Sequence, residues 1–122
     1  MKYAIGALCM AMLVMPKLSL GIERDEVLAH IQINTWTIAN ADACGLRSEA
    51  LKLRQATMEL FAIKLPEEVH KYGVLSRAID ANSDREKILL GKVDPSDPLC
   101  VTTKQSLDSR LKVTDKLIVS DY

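Results

Sequence analysis

The chain has 122 residues, with 16 Lys and Arg against 16 Asp and Glu, a formal net charge of zero. That balance argues against the clustered basic surface that non-specific nucleic-acid binding needs. The length suits one domain, and 3 cysteines with 2 histidines show no zinc-type spacing.

The first residues read as a secretory leader. Lys2 gives a short positive start, Ala4 to Met15 is an apolar run, and Pro16 breaks it. Small residues at Ser19 and Gly21 then mark a cleavage site after Gly21, so residues 1–21 are expected as a signal peptide and 22–122 as a single helical domain. The apolar run would make a helix of roughly 18 Å, too short for a hydrocarbon core of about 30 Å. No membrane span is therefore expected after cleavage. Gly6-Ala7-Leu8 is a poor lipobox, which argues against a lipid anchor at Cys9. Losing Lys2 and Lys17 leaves 14 basic residues against 16 acids, a net charge of −2. Cys9 leaves with the leader. Cys44 and Cys100 remain as an even pair in a chain bound for an oxidising compartment, and are expected to form a disulfide.

Acids at Glu23, Asp25 and Glu26 suit the start of a first helix. Val27, Leu28, Ile31, Thr35, Ile38 and Ala39 follow at helical spacing. Residues 31–38 carry a rival strand reading, because they are β-branched and partly alternate. A lone strand would lack a partner, so helix is preferred. Trp36, the only tryptophan, is expected at the edge of the core. Asn40 to Gly45 reads as a bend. From Cys44 to Leu65 the pattern is apolar over so wide an arc that several neighbours are needed to cover it, which marks this helix as the centre of the fold.

Pro66 is expected to end that helix and open a third, with Glu67 and Glu68 in its first turn. Val69, Tyr72, Leu75 and Ile79 would be its buried face, and Gly73 suggests close packing or a bend. Ser83-Asp84-Arg85-Glu86 has the form of a capping box and predicts a separate short helix ending at Gly91. Asp94-Pro95-Ser96-Asp97-Pro98 is a loop, with Asp97 as cap and Pro98 as the first residue of the last helix. Cys100 then sits in that helix's first turn, able to face Cys44. The last residues, 120–122, are expected to fray. The fold expected is all-α, a small bundle of four to five helices with one disulfide.

No phosphate loop, nucleophile elbow or glycosylation sequon occurs. His70 and Glu67 lie one helical turn apart and could pair, while His30 is on another helix, so no metal site or cofactor is expected. Tyr72 and Phe61 read as core rather than as the lining of a ligand pocket. Asp84 to Lys87 reads as a solvated helix start. No catalytic residues can be assembled, and a non-enzymatic role is expected. In its broad plan of a leader, a domain of about 100 residues and two cysteines joining helices, the chain is similar to the periplasmic acid-stress chaperones. That similarity implies protection of client proteins at low pH. The expectation from the residues is a periplasmic or secreted protein-interaction module with an unknown protein partner. The acid-stress chaperone and a small carrier of an apolar ligand are the alternatives.

Overall fold

The computed structural model describes residues 15–120, with side chains from Arg24 onward. Four α-helices follow in order: α1 Met15–Ala43, α2 Arg47–Lys64, α3 Tyr72–Leu90 and α4 Pro98–Val119, with a 3-10 segment Pro66–Lys71 before α3. There are no strands among the described residues, and the protein is an all-α bundle with one disulfide.

The helices follow from apolar spacing. On α1 the buried positions Val27, Ile31, Asn34, Ile38 and Ala41 alternate steps of four and three, with Ala39 buried beside them. On α2 they include Ala50, Leu53, Thr57 and Leu60, and on α4 Cys100, Thr103, Leu107, Thr114 and Leu117. This is the seam spacing of packed helices, in which successive seam residues face the same neighbour. Residues 31–38 are helical, as preferred, because the seam runs straight through them.

Three ties fix the directions. Cys44 at the end of α1 is bonded to Cys100 in the first turn of α4, with Cα atoms 5.6 Å apart. Lys64 Nζ donates to Ser120 O at 2.5 Å, joining the ends of α2 and α4. Arg24 Nη2 donates to Glu68 Oε1 at 2.8 Å, holding the 3-10 segment against the start of α1. Hence α2 and α4 run one way and α1 and α3 the other. The α1–α2 pair is the centre, and α3 and α4 flank it on opposite sides. The expectation of α2 alone as hub gives way to this pair, since α1 also touches every other helix.

Helix ends obey the sequence. Gly45 at φ +79° and Gly91 at φ +67° adopt the left-handed region just past α1 and α3, where a side chain would be strained. Asp97 Oδ1 accepts from Leu99 N at 2.9 Å as the cap of α4, with Pro98 first in the helix.

Other expectations fail for physical reasons. The segment after Pro66 is a 3-10 turn, and α3 begins only at Tyr72. Of its expected buried face, Ile79 is buried, while Val69 and Tyr72 are exposed. Gly73 sits at the junction, where a Cβ would meet only Arg77 Nη1 at an ordinary 3.5 Å, so close packing is not its reason. Ser83 does not begin a new helix. It lies inside the continuous α3, buried, with its hydroxyl making no hydrogen bond. Asp84 to Lys87 is accordingly a mid-helix stretch rather than a helix start. Within α2, Leu51 is exposed, which narrows the expected apolar arc. The expected leader falls on residues 1–21. Residues 1–14 lie outside the described residues, and α1 runs unbroken across the Gly21–Ile22 junction. No helix among the described residues is long and apolar enough to cross a membrane.

Candidate interaction surface

The core is two apolar clusters separated by a polar layer. Ile38, Ala41, Ala50, Leu53, Met58, Ile79 and Leu107 form the cluster near the disulfide. Val27, Ile31, Leu60, Phe61, Leu65 and Leu117 form the other. Between them lie Asn34, Thr57 and Thr114, each fully buried and each on a seam otherwise apolar. Asn34 Nδ2 donates to Thr57 Oγ1 at 3.1 Å and to Thr114 Oγ1 at 2.8 Å. Thr57 Oγ1 in turn donates to Leu53 O at 2.6 Å. Asn34 Oδ1 accepts from Arg110 Nε at 2.8 Å, which carries the network to the surface.

There Arg110 Nη2 meets His30 Nδ1 at 2.5 Å. A guanidinium can only donate, so Nδ1 accepts and the neutral imidazole carries its proton on Nε2. Nε2 lies 4.0 Å from Glu26 Oε2. Burial holds the His30 pKa below the usual imidazole value, the Arg110 charge lowers it further, and Glu26 opposes both. The arrangement satisfies buried polar groups and favours one alignment of α1, α2 and α4.

The surface feature with another character is the face shared by α1 and α3. Leu28, Gln32, Thr35 and Trp36 on α1 and Leu75, Ala78, Asn82 and Arg85 on α3 line an open groove of about 750 Å³. Trp36 is 64 % exposed, against the expectation of a core-edge position. Ile33 and Leu28 are also exposed beside it, and Ile88 and Leu89 continue the apolar surface along α3 at 82 % and 69 % exposure. Helical geometry explains this. α1 gives one side to α2 and α4 and another to α3, and among the described residues no element covers the side that carries Trp36. Arg85, bonded to Asn82 Oδ1 at 2.7 Å, stands at one end of this face, and the exposed Asp25 at the other.

A second cleft, between α1, α2 and α3, is lined by Asp42, Arg47, Arg54 and Asp80. Arg54 Nη2 donates to Ser76 Oγ at 2.6 Å and lies 3.2 Å from Asp80 Oδ1, so its main charges answer one another.

Of the residues singled out from sequence, Cys44 and Cys100 are joined. Glu67 lies 3.9 Å from Arg24 rather than serving His70. His30 and His70 are not brought together, and no group of three His, Cys, Asp or Glu side chains among the described residues could hold a metal ion. Phe61 is core and Tyr72 is not. Asn34 was not singled out, although a carboxamide on an apolar seam, matched by Thr57 and Thr114 on two others, was a readable signal. The chain matches no family model, no curated protein and no solved structure.

Proposed function

We propose that this protein is a non-enzymatic, exported interaction module that binds a protein partner through the α1–α3 face. The observation that carries the reading is the exposure of Trp36, Ile33 and Leu28 beside Ile88 and Leu89 on a frame braced elsewhere by a disulfide. Large contiguous apolar surface is costly in water and characteristic of binding sites, and tryptophan is enriched where interfaces bind most strongly. The disulfide supports an oxidising compartment, periplasmic or extracellular. A carrier role is less well supported. Carrier sites bury most of their ligand, whereas this groove is open along its length and the bundle interior is occupied by the two apolar clusters.

One observation favours the acid-stress chaperone as a second reading. His30 accepts a bond from Arg110 that its protonation would break, so acid would loosen the centre of the bundle. Suppression of client aggregation at low pH tests it, and failure to protect any client there would remove it.

The test of the main reading is a photo-crosslinking side chain placed at position 36 in the exporting host, with position 52 on the exposed side of α2 as control. A discrete adduct from position 36 alone is expected. Equal or absent labelling at both positions would end the proposal. Recovered protein lighter than its reduced form by two hydrogens is expected in the same preparation.

A further inference from the structure

We infer that the occupant of the α1–α3 face is a second copy of this chain, packed antiparallel about a two-fold axis. The inference rests on that face being the binding face and adds the identity of the partner. A two-fold interface brings one patch against itself, so its two ends must complement each other. This face meets that condition. Its middle, at Ala29, Gln32, Ala78 and Ala81, carries no charged side chain, and the small residues permit close approach of helices. Its ends differ in their exposed charge, Asp25 at the start of α1 and Arg85 towards the end of α3, while Glu86, which also lines the groove beside Arg85, is half-buried. Because α1 and α3 run the same way, reversing one copy lays its Arg85 end over the Asp25 end of the other. A parallel arrangement would leave like ends together.

Area supports the same occupant. At the exposures of Leu28, Ile33, Trp36, Ile88 and Leu89, these side chains offer roughly 450 Å² of apolar surface per copy, taking about 150 Å², the low end of the aromatic range, for each whole side chain. With the alanines, Gln32 and the charged ends added, the face approaches the roughly 800 Å² per partner of a standard interface.

Trp36 is the only tryptophan in the chain, so its fluorescence reports the face directly. The experiment is sedimentation equilibrium and emission spectra of the oxidised protein over a dilution series. Doubled mass with a blue-shifted spectrum at high concentration is expected, both reverting together on dilution. Trp36→Asp and, as a second surface variant, Ala78→Arg should be folded by circular dichroism and monomeric. Asp25→Arg and Arg85→Asp should each weaken association by about tenfold, and the two combined in one chain should restore it. A wild type monomeric at its highest soluble concentration overturns the inference, as does a dimer that survives both Trp36→Asp and Ala78→Arg, or a double charge reversal no better than its parents. If the wild type is monomeric yet position 36 still crosslinks to a different protein in the host, the dimer fails and the binding face stands. If neither occurs, both fail.

Discussion

Replacing Asn34 by alanine removes three hydrogen bonds from the middle of the bundle while leaving the three groups that made them. The bonds to Thr57 Oγ1 and Thr114 Oγ1 are neutral, and the bond from Arg110 Nε is charge-assisted. At about 1 kcal/mol for each neutral bond and about 1.5–3 kcal/mol for the charged one, the loss comes to about 4 kcal/mol. A domain of this size has about 5–15 kcal/mol to lose. The assay is urea unfolding of the oxidised protein followed by circular dichroism, with the disulfide intact in both states. The midpoint should fall sharply with little change in slope. A loss below about 1 kcal/mol would refute the reasoning, because it would mean that the layer is hydrated or slack. A companion variant separates cost from role. Asn34→Leu combined with Thr57→Val, Thr114→Val and Arg110→Met removes both sides of every bond, and should recover most of what Asn34→Leu alone loses. If it does, the layer acts chiefly to exclude misaligned packings, which would show as broadened side-chain resonances in the all-apolar variant.

Three further outcomes follow from the same geometry. Replacing Cys44 and Cys100 by serine opens a loop of 56 residues, and should cost about 4 kcal/mol by the chain-entropy model. Identical melts of oxidised wild type and variant would dismiss the staple. Burial holds the folded pKa of His30 below the ordinary imidazole value of about 6.5, so the unfolded chain takes up the proton first as pH falls. His30 therefore adds nothing to the pH dependence well above that value. Stability then declines as pH drops through 6.5 towards the lower folded value. His30→Gln should lack this decline, and a wild-type-minus-variant difference that is constant from neutral to mildly acidic pH would contradict it. Finally, Ser83→Ala should be neutral or stabilising, since the buried hydroxyl has no hydrogen bond to lose. A loss of about 1 kcal/mol, typical of a removed cap, would instead restore the capping reading.

The helices were legible because burial and spacing agree. The helical spacing of Val27, Ile31 and Ile38 reads the same in sequence and structure, and the lack of a partner strand decided residues 31–38 against their β-branched composition, whereas the bend expected from Asn40 is helical through Ala43 because Ala41 continues the buried side. The disulfide was legible because Cys44 and Cys100 are the even pair left once Cys9 departs with the expected leader, and because the Asp97-Pro98 start places Cys100 in the first turn of the last helix. The capping box misled because its motif is permissive rather than compelling. Ser83 and Glu86 can cap only if the chain leaves the helix before them, and no proline or glycine lies between Gly73 and Gly91 to make it do so. Continuing the helix kept the backbone bonds that a break would have given up, at the cost of one buried hydroxyl.

The face of α1 was not legible for a deeper reason. Val27, Ile31 and Ile38 on one side and Leu28, Ile33 and Trp36 on the others make α1 apolar around most of its circumference. Sequence shows that such a helix wants many neighbours, but not how many the fold will supply. Among the described residues, α2, α3 and α4 cover the Asn34 side and leave Leu28, Ile33 and Trp36 exposed, since α3 and α4 are held on opposite sides of the α1–α2 pair. The loop from Gly91 to Asp97 crosses at the disulfide end to start α4 on the other side of the α1–α2 pair, so among the described residues no later element returns to cover Trp36. A helix built for one more neighbour than its own fold provides is the physical basis for placing the binding face there. It also explains why Trp36 looked like core in the sequence: its chemistry is that of a buried residue, and the proposed second chain is what would bury it.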